Sequence, residues 1–286
     1  MDTTYSIDGT SLDDQGGRWW LERDDPFQAT PAVRSASIQV PGRDGIVPQF
    51  NEMYESRTLA LKLIVTDSDR FGTARGYDQL VANMHLLLGL ANVRYRLVRL
   101  TRTMGGQTLQ AEGRSTVSVD PEMLDPRTAR VTLVFELTDP FWKDQRTSTI
   151  TSPVLDDNES WQTDSTALGG GNAPIRDAEF GAGGQLSGIR LTDVASGRWI
   201  NLITTSGPSQ GLYVDCASMR AWRTATTDPF DLDGATEVSG NLDTGPGGFA
   251  LEPTIPAGQS RSVVSLRVRR EGTSGTVQVR ARRAWL

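Results

Sequence analysis

The chain has 286 residues and carries 29 Lys plus Arg against 35 Asp plus Glu, a formal net charge of −6; this length predicts two domains at roughly 100–200 residues each. One Cys (Cys216), one His (His85) and two Lys (Lys62, Lys143) exclude an internal disulfide and a four-ligand Cys/His zinc site. The charge splits into −3 over residues 1–146 and −3 over residues 147–286, so neither half has the basic excess that duplex binding requires.

Taken in chain order, most elements read as strands. Pro41, Gly42, Arg43, Asp44 and Gly45 form a tight turn, the Asp-Gly step being suited to positive φ. From Leu59 to Val65, Leu59, Leu61, Leu63 and Val65 share one face; Val93 to Arg99 sets Val93, Tyr95 and Leu97 against Arg94 and Arg96. Ala129 to Leu137 repeats the pattern with Val131, Leu133, Phe135 and Leu137. A period of two with one polar face marks half-buried antiparallel strands. Between them, from about Thr73 to Leu90, apolar residues fall at Tyr77, Leu80, Val81, Met84, Leu87 and Leu88. That spacing predicts one amphipathic helix lying on a sheet, capped by Asp69 or Thr73 and ended at Gly89.

The composition shifts after Trp142. From Arg146 to Asn172 the character changes: Thr147 to Thr151 is Ser/Thr-rich, Asp156-Asp157-Asn158-Glu159 is an acidic loop, and Gly169-Gly170-Gly171 reads as freely flexible. Beyond it come short β-like runs at Gly188–Leu191, Arg198–Ile203, Gly211–Asp215, Ser262–Arg270 and Gly275–Arg283, which predict a sandwich or barrel. The last two should form a hairpin. The fold class is mainly β, with domains at residues 1–146 and 147–286.

The catalytic motifs fail one by one. Neither lysine stands in Gly-Lys-Ser/Thr, which excludes a phosphate-cradling loop of that kind. Gly207-Pro208-Ser209-Gln210-Gly211 matches G-x-S-x-G, but a strand-like run follows Ser209 where a nucleophile elbow needs a helix. His85 precedes it in the other domain and reads as a structural helix residue. Asp231-Leu232-Asp233-Gly234 resembles a calcium loop, yet Pro229 and Gly240 stand where an EF-hand places ligands. No catalytic residue, metal ligand or cofactor is therefore assigned. Trp199 and Trp222 are candidate saccharide contacts, weighed against a plain core role. Residues 224–260 hold six acidic side chains and no basic one, while residues 261–286 hold seven Arg; these segments either meet each other or guard a sheet edge. The start, Met1-Asp2-Thr3-Thr4, lacks the basic and apolar regions of a signal peptide, and the longest nearly apolar stretch, Leu86 to Val93, is far short of the roughly 18 residues of a span. A soluble chain without membrane insertion is expected.

The order of these parts resembles the distal tail proteins of long non-contractile-tailed bacteriophages. The carrying residues are Ile38-Gln39-Val40 followed by the Pro41–Gly45 turn, the helix about 73–90, Leu137-Thr138-Asp139-Pro140-Phe141-Trp142, and Gly170-Gly171-Asn172-Ala173-Pro174. The resemblance implies an N-terminal ring or belt domain that assembles six copies at the tail tip, followed by a galectin-like β-sandwich. It implies the tail tube protein and tail-associated, tail-fibre or receptor-binding proteins as partners, and a place in the virion tail after assembly in the host cytoplasm. It makes Pro41, Gly42, Arg43, Asp44 and Gly45 candidate ring-interface residues and Asp139, Pro140, Phe141 and Trp142 the motif closing the first domain. A saccharide-binding sandwich acting in host-surface adsorption is the alternative.

Overall fold

The computed structural model describes residues 3–22, 30–34, 53–116, 120–245 and 248–286. The chain divides into two compact units, residues 1–143 with 286, and residues 144–285.

In the first unit the strands are β1 Thr4–Ile7, β2 Thr10–Ser11, β3 Trp19–Leu21, β4 Val33–Arg34, β5 Met53–Tyr54 and β6 Arg57–Thr66, followed by helix α1 Tyr77–Ala91. Then come β7 Val98–Met104, β8 Gln107–Ser115, β9 Glu122–Asp125, β10 Thr128–Leu137 and β11 Trp142–Asp144. The main sheet runs β2-β1-β7-β8-β10-β6-β3, with β9 joined to β10 and β11 to β8. Its spine is the ten-residue antiparallel register of β6 on β10, from Thr128↔Thr66 to Leu137↔Arg57. Alternation decides the faces. Leu59, Leu61, Leu63 and Val65, with Ala129, Val131, Leu133, Phe135 and Leu137, are buried as expected. Each such large side chain taken out of water contributes about 1.5–3 kcal/mol.

Helix α1 packs on β6 and β10 through Leu80, Asn83, Met84, Leu87 and Ala91. It begins at Tyr77, one turn later than the apolar spacing predicts. Asp69 caps nothing in the helix; it accepts the N–H groups of Phe71 (2.8 Å) and Thr73 (3.0 Å) and pairs with Arg75, which makes a turn. Gly76, at φ +91°, takes the N-cap position, and its N–H donates to Asp67 Oδ2 at 3.0 Å. Tyr77 is consequently exposed, and Gly89 lies inside a helix that runs on to Ala91. The expected strand from Val93 to Arg99 also shifts. Asp8 accepts from Arg96 (2.7 Å) and from the Arg99 N–H (3.0 Å), which holds a bend there, and Tyr95 is 87 % exposed. The strand starts at Val98, with Val98, Leu100 and Arg102 on the buried side.

The second unit holds β12 Ser148–Thr151, β13 Ser160–Ser165, β14 Glu179–Gly183, β15 Leu186–Asp193, β16 Trp199–Ser206, β17 Gly211–Asp215 and β18 Arg220–Thr224. These are followed by β19 Thr236–Glu237, β20 Leu242–Thr244, β21 Pro253–Thr254, β22 Val263–Gly272, β23 Gln278–Ala281 and β24 Ala284–Trp285. One sheet runs β12-β23-β14-β17-β18-β19; the other runs β13-β22-β15-β16-β20, with β21 beside β22. Phe180, Leu212, Val214 and Val279 of the first and Leu186, Ile189, Leu191, Ile200, Leu202, Leu266 and Val268 of the second form the core of a β-sandwich.

Two expectations fail in this unit. Gly169-Gly170-Gly171 is not freely flexible: β12 and β13 before it are strands of the two sheets, and the glycines are tightly packed. A β-carbon on Gly169 would overlap the Ser262 carbonyl, and one on Gly171 the Ala284 carbonyl. Ser262 Oγ accepts from the Gly170 N–H (2.9 Å) and donates to Gly171 O (2.6 Å). Nor do the last two runs form a hairpin. β22 and β23 belong to opposite sheets, and the connection between them is held by the fully buried Arg270, which donates to Thr273 O (2.6 Å) and Gly183 O (2.8 Å).

Candidate functional site

The motif expected to close the first domain, Asp139 to Trp142, follows β10 as a turn. Asp139 accepts the Phe141 N–H (3.2 Å) and pairs with Lys143 at 2.8 Å. That turn drives Pro140, Phe141 and Trp142 inward, all three buried. Phe141 meets Tyr54 edge-on at 5.2 Å, and Trp142, with none of its surface exposed, meets Tyr5 at 6.2 Å. Arg102 lies over the Trp142 ring at 5.0 Å. The turn Pro41, Gly42, Arg43, Asp44 and Gly45 lies outside the described residues.

Around Trp142 the fold gathers charge that the motifs do not point to. Arg57 and Arg102 are 4 % and 8 % exposed, and Arg57 Nε and Nη1 and Arg102 Nε have no acceptor. Burial, and then the charge of Arg102, pushes the Arg57 guanidinium below its ordinary value. The sequence does carry a signal for this. Arg57 stands in the register of Leu59, Leu61 and Leu63, Arg102 in that of Val98 and Leu100, and Arg270 in that of Leu266 and Val268. An arginine on the apolar parity of a strand is a buried arginine.

In the second unit a polar groove of about 340 Å³ is lined by Asp177, Glu179, Asp215, Arg280 and Arg282 among others. The sheet register creates it. Glu179 sits directly across from Asp215 on β17 and from Arg280 on β23. Burial and the Asp215 charge raise the Glu179 carboxyl above its ordinary value, against the hydrogen bond donated by the Tyr213 hydroxyl. Arg282 donates to Asp177 at 2.6 Å. None of these residues stands out in sequence, because their meeting depends on pairing between strands far apart in the chain.

The two candidate saccharide contacts are both half-buried and lie in different sheets. Trp199 on β16 is covered by Arg190 at 4.3 Å; Trp222 on β18 packs on Tyr213 at 5.4 Å and under Arg220 at 5.0 Å. Ser209 is exposed in a turn closed by the Gln210 N–H on Gly207 O (3.0 Å), and strand β17 follows it directly. His85 is exposed on α1. Asp228 and Asp231 accept the N–H groups of Phe230 (3.0 Å) and Asp233 (3.1 Å), so both cap turns. The C-terminal arginines find partners outside residues 224–260: Arg267 on Gln162, Arg269 on Asn158, Arg282 on Asp177 and Arg283 on Asp144. Arg280 does turn to that segment, over the Phe230 ring at 3.5 Å. Among the described residues, no helix is long and apolar enough to cross a membrane.

A helix-backed antiparallel sheet followed by a β-sandwich is a fold this chain shares with a solved phage hub protein. The chain is similar over its whole length to the crystal structure of the Dit protein (gp 19.1) of phage SPP1, a hub adsorption apparatus protein of phages infecting Gram-positive bacteria. The TM-score is 0.64 at 14% identity, covering 100% of both chains. Chains of the phage p2 baseplate in its activated conformation match more loosely. With Sr the TM-score is 0.46 at 11% identity, and with Ca it is 0.44 at 10%, each covering 99% of this chain and 98% of the other. No family model and no curated protein matches by sequence.

Proposed function

We propose that this chain is a structural component of a bacteriophage tail tip, in which six copies form a ring that joins the tail tube to tail-fibre or receptor-binding proteins. The observation that carries the reading is the match to a hub protein across the full length of both chains, rather than over one shared domain. The chemistry of the molecule is in keeping with it. The G-x-S-x-G serine lies in a strand-to-strand turn, and the one histidine is exposed on the helix of the other unit. The work of such a part is done by shape and by interfaces, in the virion, after assembly in the host cytoplasm. On this reading residues 1–146 are the ring domain, with the Pro41–Gly45 turn at the ring interface, and residues 147–286 a galectin-like domain.

Gold-labelled antibody against the purified chain, applied to intact virions that encode it, tests the placement. Label is expected at the distal end of the tail; label along the shaft, on the capsid or nowhere on the virion contradicts the proposal. The alternative, a saccharide-binding sandwich, is favoured by the groove of Asp177, Glu179, Asp215, Arg280 and Arg282, whose carboxylates and guanidinium groups suit sugar hydroxyls. Binding of the full chain to host cell-wall glycans supports that reading, and silence across a broad glycan panel removes it.

A further inference from the structure

The geometry points to an oxyanion seat at Arg57 and Arg102 in the first unit, filled by a free phosphate-like ion or by a carboxylate from a second copy of the chain. The seat does not depend on the tail-tip reading. Both arginines occupy the buried parity of their strands, so their guanidinium groups lie at one end of an otherwise apolar face. No carboxylate among the described residues pairs with either one, and three of their N–H-bearing atoms, Arg57 Nε and Nη1 and Arg102 Nε, are fully buried without an acceptor. Arg270 shows how this molecule otherwise buries a guanidinium, by turning it onto backbone carbonyls.

Two unpaired cations side by side in an apolar surround are unfavourable. A guanidinium offers five donors and no acceptor and does not shed its proton, and an unmatched buried charge costs several kcal/mol. A like-charged neighbour adds to that cost. One oxyanion relieves both at once, because a carboxylate or phosphate accepts two parallel N–H bonds from a guanidinium fork. The walls are already placed. Trp142 lies under Arg102 at 5.0 Å, and Tyr5 stands directly across from Arg102 in the β1–β7 register. The 4 % and 8 % of surface left on the two arginines leave a narrow way in, which fits a small ion or one inserted side chain better than a broad ligand.

The experiment is thermal unfolding of the full chain in sodium phosphate against sodium chloride at matched ionic strength, with mass by light scattering at each protein concentration. Arg57→Met and Arg102→Met are measured alongside. These variants replace an unpaired buried charge by an apolar group of similar length, so they are expected to fold. If the ion is free, the wild-type midpoint rises saturably in phosphate, by about 5 °C at a hundred times Kd, and each variant loses that rise. If the carboxylate comes from a second copy, phosphate lowers the wild-type mass at a fixed protein concentration, and each variant has a lower mass than the wild type there that phosphate does not change. Two results overturn the proposal: a wild type whose midpoint and mass are both indifferent to phosphate, or a phosphate response that persists unchanged in both variants.

Discussion

Trp142 is fixed from three sides. It is held by the Asp139 turn, packs against Tyr5 and carries Arg102 on its face. Trp142→Ala should cost about 3–5 kcal/mol, the range for emptying a large aromatic site, measured as a lower urea midpoint. Asn83 is invisible to hydropathy, being a polar residue on the packed face of α1. Its amide donates to Thr66 O and Ser68 O, both at 2.8 Å, tying the helix to the end of β6. Asn83→Ala leaves two carbonyls short of a donor and should cost about 1–3 kcal/mol. Glu179 gives a pH signature. Its folded carboxyl titrates above the ordinary value, so between the two pKa values the folded state binds more protons than the unfolded one. Stability therefore falls as pH rises through that window. Glu179→Gln should stabilise the chain at pH 7.5, and the gain should vanish once pH drops below the ordinary carboxyl range, as urea midpoints at the two pH values will show. At this scale the alternation of Leu59 to Val65 and Ala129 to Leu137 is legible in the sequence because each run has one wet face. The groove around Glu179 is not, since Glu179, Asp215 and Arg280 meet only through register.

Elements are legible wherever periodicity is long and are misjudged wherever a short-range contact overrides it. The helix is recognisable from Leu80, Met84 and Leu87, but its start is not, because Asp69 commits its carboxylate to a local turn and Gly76 takes the cap position. The Gly169-Gly170-Gly171 run suggests looseness from composition, yet small residues there serve close approach of backbones, with Gly170 at φ +89°. Two substitutions separate the two uses of glycine. Gly89 lies in α1 with open space for 4 Å around the place a β-carbon would take, so Gly89→Ala should stabilise by about 0.5–1 kcal/mol through helix propensity. Gly171→Ala must push back the Ala284 carbonyl and should destabilise by about 1–3 kcal/mol, the usual cost of overpacking. Denaturant midpoints of opposite sign relative to the wild type check both. The crossing between β22 and β23 escapes the sequence for the same reason: proximity along the chain suggests pairing, but Arg270 and its carbonyl partners carry the chain to the other sheet.

For the whole molecule, the scarcity of His, Cys and Lys sets aside several enzyme classes, and the length by itself suggests two domains. Two compact units follow, each with its own core. The even charge of the two halves conceals local organisation, in which the C-terminal arginines are distributed over both sheets of the sandwich and over separate acidic and amide partners. The chain is similar to the hub structure over its full length at only 14% identity, so the likeness speaks to the fold and not to a site. The proposed function requires copies of this chain to close into a ring. Mass photometry of the purified full chain, alone and with the tail tube protein of the same phage, tests it most directly when paired with negative-stain imaging. Closed rings at about six times the 31.2 kDa chain mass, formed alone or on the tube, are expected; a strictly monomeric particle that neither closes into rings nor binds the tube contradicts the proposed function.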